Sequence, residues 1–293
     1  MRNLLITGAG PRSFVGRNLK EALAQKYTVF APSHAELELL DAAALEEYIR
    51  QNRIEAIVHA AVHVPMFNGE EKEYYNDMRM FLNMERVTSM VEKVVYFGSG
   101  AEFDKRYDIT LVSEEDIGKS LPLSEYGLAK YTMNLIARSS ANLYNLRLFG
   151  VFGKYELWPI KFISNLCCKA IFNLPLTVRK DCNFDFLYVE DLVAPLEWVL
   201  ESSPLRHDYN LCHGTPWRLT QLAQMVKEVS GTSAEVVLLN EMKDLDYTGN
   251  NSLLFQECDN FSLTAMEKAI EHLYQYYYEC RDSIDFNLLK ESR

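Results

Sequence analysis

The N-terminal stretch reads Leu4-Leu5-Ile6-Thr7-Gly8-Ala9-Gly10-Pro11-Arg12-Ser13-Phe14-Val15-Gly16, and a helical run over residues 17–25 follows it. The apolar triplet predicts a short buried strand. A strand, a glycine-rich turn and a helix form the context that a dinucleotide phosphate site needs, because glycines let the backbone approach a pyrophosphate and a helix start offers N–H donors. A plain tight turn is the alternative. The residues predicted to contact the dinucleotide here are Gly8, Gly10, Arg12, Ser13, Phe14, Val15 and Gly16.

The second predicted strand, residues 27–30, ends in Ala31-Pro32-Ser33-His34. A site for NAD usually carries an acidic residue at this point for the ribose hydroxyl, and this tetrapeptide has none. Arg12, Ser33 and His34 could instead receive the 2′-phosphate of NADP. The sequence therefore favours NADP as the cofactor and leaves NAD possible.

The first 150 residues alternate strands with helices. Further strands are predicted at residues 37–41, 56–61, 93–100 and 143–149, and longer helices at residues 42–51, 71–91 and 126–139. This alternation predicts an α/β fold with a doubly wound parallel sheet of the Rossmann type and helices on both faces. Residues 1–155 would form this dinucleotide-binding domain. Residues 156–293 would form mainly a smaller C-terminal α/β lobe that binds the substrate, with a strand and helix near 176–200 returning to the first domain.

The pattern after residue 155 is less regular than the pattern before it. Helices are predicted at residues 159–172, at 190–200 and from residue 219 onward, and short strands at residues 176–178, 186–189 and 234–239. A final helix is predicted to begin at Ser262 and to end in the aromatic run of residues 274–278. These aromatic side chains are interpreted as packing residues and not as a binding site.

Three residues on this framework have the chemistry of a proton-transfer site. Tyr126 and Lys130 are four residues apart, so a helix would place both on one face, and Ser124 is a candidate cap for it. A lysine ammonium beside a phenol favours the phenolate, which suits a tyrosine that exchanges a proton with a sugar or alcohol oxygen. Ser99 follows a predicted strand at its carboxyl end, where open α/β sheets bind ligands. Taken singly, each signal also fits a surface helix or a turn.

The composition narrows the classes of partner. The formal charge of the 293 residues is −11, which argues against nucleic acid or an anionic membrane as the main partner. No stretch approaches the roughly 18 apolar residues of a membrane span, and the N-terminus lacks a signal-peptide pattern. The six cysteines show no CxxC spacing and no pairing with histidine, so no metal site is predicted. A cytoplasmic protein with free thiols is expected.

Together these features resemble the extended short-chain dehydrogenase/reductase family, which contains nucleotide-sugar epimerases, dehydratases and reductases. Residues 37–41 and Phe97-Gly98-Ser99 are most similar to the GDP-fucose synthase branch, a group of 4-keto sugar reductases. The matching motifs are the glycine turn, Ala60-Ala61, Ser99, Tyr126-x-x-x-Lys130, Arg147-Leu148-Phe149-Gly150-Val151-Phe152-Gly153 and Asp185-Phe186-Leu187-Tyr188-Val189-Glu190-Asp191.

The resemblance implies a role for each matching residue. Tyr126 would be the acid/base at the sugar C4 oxygen, Ser99 would hydrogen-bond and orient that oxygen, and Lys130 would hold the nicotinamide ribose. The nicotinamide would give or take the hydride. Relatives often dimerise through two long helices, here residues 71–91 and 126–139, so a homodimer is expected. Further cofactor contacts are implied at Ser33, His34, Leu39, Ala60, Ala61, Phe149 and Val151, besides Tyr126 and Lys130.

The sequence departs from the family pattern at several positions. Counted back from Gly16, Ser13 stands where the middle glycine of the turn would be. Gly100 and Ala101 replace the Asp-Glu pair of the dehydratases, and Ala101 also replaces the cysteine with which fucose synthases epimerise. Phe184 replaces an arginine that often binds the substrate diphosphate. Basic residues that could substitute for it are Lys154, Lys161, Lys169, Arg179 and Lys180.

The expected activity is the NADP(H)-dependent reduction of a 4-keto nucleotide-sugar, in a polysaccharide or glycoconjugate pathway of bacterial type. Hydride would reach C4, and Tyr126 would donate the proton. Without the proton carriers of the dehydratases and fucose synthases, the enzyme would not dehydrate the sugar or epimerise C3 or C5. Two alternatives stay open: an NAD-dependent nucleotide-sugar C4 epimerase, and a non-catalytic dinucleotide-binding regulatory or scaffold protein.

Overall fold

Six parallel strands form the central sheet, in the order β2-β1-β3-β4-β6-β11 with labels in chain order. The computed structural model describes residues 1–62, 73–259 and 261–292. From β1 the chain first moves outward to β2 and then returns to β3 on the other side, and ligands bind doubly wound sheets at such a reversal. The strands are β1 Asn3–Thr7, β2 Thr28–Phe30, β3 Ala56–His59, β4 Lys93–Ser99, β6 Leu143–Leu148 and β11 Asp208–Leu211.

Helices cover both faces of this sheet, which confirms the predicted doubly wound fold. Leu4 and Ile6 on β1 pack in the core of α1 and α6, whereas Leu5 packs in the core of α2, α3 and α4. Because both faces are buried, the strand is apolar at consecutive positions. No helix in the described part of the chain is long and apolar enough to cross a membrane. The helices are α1 Val15–Leu23, α2 Ala42–Asn52, α3 Glu73–Arg86, α4 Glu125–Ser139, α5 Phe162–Ile171, α6 Val193–Glu201, α7 Leu219–Ser230, α8 Ser252–Glu257, α9 Met266–Glu279 and α10 Phe286–Glu291.

Residues 37–41 do not form the strand that was expected from the sequence. The Leu37 amide donates to the Ser33 carbonyl at 3.0 Å, so the backbone turns after β2. The side chain of Asn83 on α3 donates to the Leu39 carbonyl at 2.7 Å. Backbone groups need hydrogen-bond partners when they are buried, and here a turn and a helix side chain supply them in place of a neighbouring strand.

Three short sheets lie outside the central sheet. One has four strands in the order β12-β9-β14-β5, and the others pair β10 with β7 and β13 with β8. Helices α5, α7 and α9 pack against one another beside them. These strands are β5 Ile109–Val112, β7 Gly150–Phe152, β8 Leu176–Val178, β9 Asn183–Phe184, β10 Phe186–Tyr188, β12 Trp217–Arg218, β13 Val236–Leu238 and β14 Tyr247–Gly249.

The elements that return to the central sheet are α6 and β11. The strands predicted at residues 176–178 and 186–189 lie instead in the short sheets, paired with β13 and β7. The helix predicted from Ser262 begins at Met266, and the further helix α10 follows it. The boundary between two domains near residue 155 stays a prediction.

A buried ion network explains why β11 is the strand that pairs with β6. Arg147 on β6 is fully buried, and it donates to Glu102 at 2.7 Å, to Asp208 at 2.7 Å and to Asn210 at 2.9 Å. Burial alone would lower the pKa of Arg147, but the two carboxylates raise it above its ordinary value. Glu102 also accepts the amide of Ser99 at 3.1 Å. The network therefore fixes the carboxyl end of β4 relative to β6 and β11.

Replacing Arg147 with methionine should lower the free energy of unfolding by about 3–5 kcal/mol, because two buried carboxylates would lose their partner. Urea unfolding followed by circular dichroism measures this change. The control is Arg206→Met, which removes an exposed ion pair with Glu115 and should cost at most about 1 kcal/mol. A variant at Arg147 that is as stable as the wild type would contradict the role of the network.

Candidate active site

Ser99, Tyr126 and Lys130 lie on two elements at the carboxyl edge of the central sheet. Ser99 is the last residue of β4, and Tyr126 and Lys130 lie in the first two turns of α4. Ser124 caps this helix, because its Oγ accepts the amide of Gly127 at 3.1 Å. The cap fixes where the helix begins, and it therefore fixes the face that the tyrosine and the lysine share.

Lys130 is buried, and its ammonium lies 5.8 Å from the centre of the Tyr126 ring. Its Nζ donates to the carbonyl of Phe97 on β4 at 2.9 Å. Burial, assisted by the charge of Lys130, lowers the pKa of the neighbouring His59 to about 3, and this imidazole shares a hydrogen bond of 2.8 Å with Thr7. The histidine is therefore neutral at physiological pH, and the lysine is the cation that lies beside Tyr126.

Ser99 has partners that were not singled out from the sequence. Its amide donates to Glu102, and its Oγ accepts the amide of Ala101, both at 3.1 Å. The hydroxyl of Tyr247 on β14 lies beside the backbone of the next residue, Gly100, where a Cβ would come within 2.5 Å of it. Glu102 follows the serine by three residues, which is the spacing of a capping box and was available as a signal. No local pattern points to Tyr247.

The glycine turn brings three segments into close contact. Gly8 has a φ of +66°, and a Cβ on it would come within 2.6 Å of the backbone of Ala61. A Cβ on Gly16 would collide with the Gly8 carbonyl. Ser13 takes the place of a middle glycine, donating its hydroxyl to the Gly8 carbonyl and its amide to the Gly10 carbonyl. The spacing of the glycines differs from the family pattern, but the hydrogen bonds of Ser13 still close the turn.

The start of α1 fits the pyrophosphate of a dinucleotide. Phe14 stands at the N-cap and Val15 begins the helix, with no side-chain cap and no acidic residue in the first turn. The first amides of the helix can therefore bind an anion, which the helix dipole also favours. A Cβ on Gly10 would meet no atom of the described residues within 4 Å, so among these residues this face of the turn has room for a ligand. Ala60 and Ala61 add small side chains after β3.

The end of β2 carries a carboxylate that was not expected from the sequence. Glu36 accepts the amide and the hydroxyl of Ser33, at 2.7 and 2.8 Å, and these bonds lower its pKa. His34 lies 3.1 Å from the carboxylate of Glu38. Two of the three residues predicted to receive a 2′-phosphate therefore contact acidic groups, while the third, Arg12, is exposed in the glycine turn.

Three other residues predicted to contact the cofactor lie in packed surroundings. The ring of Phe149 lies against the backbones of Gly100 and Gly249, where a Cβ on either glycine would come within 2.7 Å of it. Val151 is half-buried in β7. Leu39 packs against the core of α2 and α3. Their contacts with a cofactor stay predictions.

Two of the five basic residues considered for a substrate diphosphate are bound elsewhere. The ammonium of Lys154 donates to Glu21 at 2.9 Å. The ammonium of Lys169 donates to the hydroxyl of Thr177 and to the carbonyl of Ser292, both at 2.8 Å. Within residues 1–62, 73–259 and 261–292, no group of three His, Cys, Asp or Glu side chains could hold a metal ion. The remaining diphosphate candidates are Lys161, Arg179 and Lys180.

Residues 4–212 match the model of the NAD dependent epimerase/dehydratase family. The chain belongs to this family. The match covers all six strands of the central sheet together with Ser99, Tyr126 and Lys130. The protein is therefore an NAD(P)-dependent enzyme of the short-chain dehydrogenase/reductase type, and the resemblance found in its motifs is confirmed.

The similar proteins are distant in sequence, and the similar solved structures share the fold. GDP-L-colitose synthase of Yersinia pseudotuberculosis is 23% identical over 255 residues, which are 78% of this chain and 82% of that protein. A GDP-L-fucose synthetase of Naegleria fowleri with NADP bound has a TM-score of 0.81 at 17% identity, over 96% of this chain and 95% of that one. A GDP-mannoheptose C4 reductase of Campylobacter jejuni with NADP bound has a TM-score of 0.80 at 16% identity, over 94% of this chain and 98% of that one.

Gly10 allows a test of where the dinucleotide lies. Gly10→Ala should leave the free energy of unfolding unchanged, because the added methyl meets no atom within the part of the chain that the structure describes. It should weaken dinucleotide binding about tenfold or more, because the methyl would take space from the pyrophosphate. Calorimetric titration and thermal unfolding measure the two effects.

Gly231→Ala is the contrasting control. Gly231 also has open space but a φ of +66°, so alanine there should lower stability and leave dinucleotide binding unchanged. Wild-type dinucleotide affinity in Gly10→Ala would show that the ligand does not lie along this face of the turn.

Proposed function

We propose that this enzyme uses NADPH to reduce the C4 ketone of a nucleotide-activated sugar. The observation that carries the proposal is the grouping of Ser99, Tyr126 and Lys130 at the carboxyl edge of the sheet, with Gly100 and Ala101 directly after the serine. The names of the relatives, which include a GDP-L-colitose synthase and a GDP-mannoheptose C4 reductase, support a nucleotide sugar as the substrate class.

In this proposal Tyr126 supplies the proton. The nearby ammonium of Lys130 stabilises the phenolate that remains after the proton has moved to the developing alkoxide. Ser99 donates a hydrogen bond to the same oxygen and orients the ketone. When bound, the reduced nicotinamide supplies the hydride for the carbonyl carbon. One hydride and one proton thus convert the C=O group into a secondary alcohol.

The surroundings of Gly100 and Ala101 support reduction without dehydration or epimerisation. Neither residue has a side chain that can donate or accept a proton. Family members that dehydrate or epimerise have an acidic pair or a cysteine at these positions. The space over Gly100 is filled by the ring of Phe149 and the hydroxyl of Tyr247. Glu102 is fully buried in the ion network and is not available to a sugar.

The smaller lobe, residues 156–293, would provide most of the substrate side. With a net charge of −11, the protein needs a locally basic region to bind a nucleoside diphosphate, because anions are repelled by the overall field. Lys161, Arg179 and Lys180 are the residues we assign to this task.

We also propose a homodimer through α3 and α4. Leu82 on α3 and Leu128 and Leu135 on α4 are exposed apolar side chains. The two residues on α4 are seven apart, so they lie on one face of the helix. A second copy of the chain would bury this face in a four-helix interface with two-fold symmetry.

A C4 epimerase that retains NAD is the second candidate. The carboxylate of Glu36 beside Ser33 favours it, because an acidic group at the end of β2 suits a ribose hydroxyl and repels a 2′-phosphate. An epimerase must keep its dinucleotide between the two half-reactions, whereas a reductase must exchange it. Mass spectrometry of the dinucleotide released from denatured, freshly purified protein separates the two: stoichiometric NAD favours the epimerase.

Tyr126→Phe should lower kcat about a hundredfold or more, because the proton donor is removed. NADPH binding should stay close to that of the wild type, since the ring remains. The measurement is NADPH oxidation with 4-keto sugar nucleotides. Tyr131→Phe, on the same helix, is the matched control and should keep full activity. Undiminished turnover in Tyr126→Phe would contradict the assignment.

Arg12→Met should weaken NADP binding about tenfold and leave NAD binding unchanged, since only NADP has a 2′-phosphate with which a guanidinium can pair. Glu36→Gln should strengthen NADP binding, because it removes a negative charge beside Ser33. Calorimetric titration with both dinucleotides measures these effects. Tighter binding of NAD than of NADP by the wild type would contradict the NADP assignment and favour the epimerase.

A further inference from the structure

Tyr126 and Lys130 share one face of α4 with a third residue, Asn134. The three residues follow one another at intervals of four, so they form a row along the helix. Tyr126 is half-buried, Lys130 is buried and Asn134 is fully buried. The row is attached to the sheet at two points. The first is on β4, where the carbonyl of Phe97 accepts the Nζ of Lys130 at 2.9 Å.

The second point of attachment is a hydrogen bond between Asn134 and Asn145 on β6. The Nδ2 of Asn145 donates to the Oδ1 of Asn134 at 3.0 Å. The same nitrogen donates to Glu102 at 3.1 Å, and the Oδ1 of Asn145 accepts the amide of Gly98 at 2.9 Å. Glu102 also accepts the amide of Ser99 at 3.1 Å. Asn145 therefore connects α4 to the end of β4 that carries the serine.

The orientation of both side-chain amides follows from their partners. A backbone amide can only donate, so the Oδ1 of Asn145 must face Gly98 and its Nδ2 must face Asn134. Asn134 therefore presents its oxygen to Asn145. Its own Nδ2 has no partner within residues 1–62, 73–259 and 261–292. A buried donor without a partner is destabilising, so stability alone does not explain an asparagine at this position.

Gly98 allows these side chains to approach β4. A Cβ on Gly98 would collide with the Oδ1 of Asn145 and with the Oε1 of Glu102. The glycine therefore lets both side chains reach the strand at the residue directly before Ser99. As a result, the hydrogen bonds that hold the strand end and the hydrogen bond that holds α4 meet at one amide, the side chain of Asn145.

The apolar face of α4 does not fix the helix in the same way. Ala129, Met133 and Ala137 pack in the core that α4 shares with α2 and α3. Hydrophobic contacts of this kind are not directional. A hydrogen bond between two buried amides sets both a distance and an angle. The contact between Asn134 and Asn145 is therefore the one that defines how far α4 lies from β6.

We propose that Asn134 is a positioning residue, which holds α4 at a set distance from the end of β4 by accepting the amide of Asn145. It thereby places Tyr126 and Ser99 so that both reach one substrate oxygen. The inference rests on the proposed function, because it takes the C4 ketone as the group that these two residues share. Asn134 is fully buried, so it acts through them and does not touch the substrate.

Asn134→Leu keeps the size of the side chain and removes the oxygen. Carbon atoms pack against their neighbours at about 3.5–4.0 Å, whereas the present N···O distance is 3.0 Å, so α4 should move from β6 by about 0.5–1 Å. This displacement should lower kcat about tenfold or more, with little change in KM. The Tm should stay within about 5 °C of the wild-type value, because the unpaired donor is removed as well.

Two further variants separate position from packing, with kcat expressed per folded protein. Asn134→Asp keeps an oxygen for the amide of Asn145, so it should recover most of the activity that Asn134→Leu loses. Tyr96→Phe should leave kcat unchanged. It removes a buried hydroxyl that has no partner in the described part of the chain, from the β4 residue beside Asn145. Wild-type kcat in Asn134→Leu, or a folded Asn134→Asp that is no more active than Asn134→Leu, would overturn the inference.

A crystallographic comparison needs no turnover and separates this inference from the proposed function. Wild type and Asn134→Leu are crystallised with NADP under the same conditions. The Cα distance between Ser99 and Tyr126 should be about 0.5 Å or more longer in the variant. An unchanged distance would overturn the inference, whatever the activity. A longer distance, in an enzyme that reduces no 4-keto sugar nucleotide, would refute the reductase and support the role of Asn134.

Discussion

The buried guanidinium of Arg147 holds together the part of the sheet on which the candidate active site depends. It pairs with Glu102 after β4 and with Asp208 on β11, both at 2.7 Å. Charges removed from water are tolerated only when every partner is in place, so the three strands must align before the network can close. That alignment fixes Ser99, whose amide is bonded to Glu102. The position of Ser99 is therefore set by the ion pair between Arg147 and Glu102.

The second buried cation of the site is held in a different way. Lys130 donates to the neutral carbonyl of Phe97, and its histidine neighbour His59 carries no charge. Among residues 1–62, 73–259 and 261–292, no carboxylate forms an ion pair with Lys130, and a buried charge acts strongly on nearby groups. Tyr126 is the group that it faces. The molecule thus uses Arg147 to fix the strands, and it holds the ammonium of Lys130 beside the ring of Tyr126.

The central sheet and the Ser99, Tyr126 and Lys130 group could be predicted because both follow from short-range patterns: apolar runs, a glycine turn and a spacing of four. Residues 37–41 were misread as a strand, because what satisfies their backbone is a helix side chain that a local pattern does not show. The position of Tyr247 beside Gly100 was missed because it depends on the pairing of β14 with β5, two strands far apart in the chain. Such contacts form only after distant strands have paired.

The central claim is reduction at C4 without proton exchange at the neighbouring carbons. The most direct measurement follows deuterium from labelled NADPH into the product of a GDP-activated 4-keto sugar, with a parallel reaction of unlabelled NADPH in D₂O and an enzyme-free control for spontaneous exchange. The account predicts cofactor deuterium at C4, and solvent deuterium at C3 and C5 no higher than in the control. Enzyme-dependent solvent deuterium at C3 or C5, or no label at C4, would contradict it.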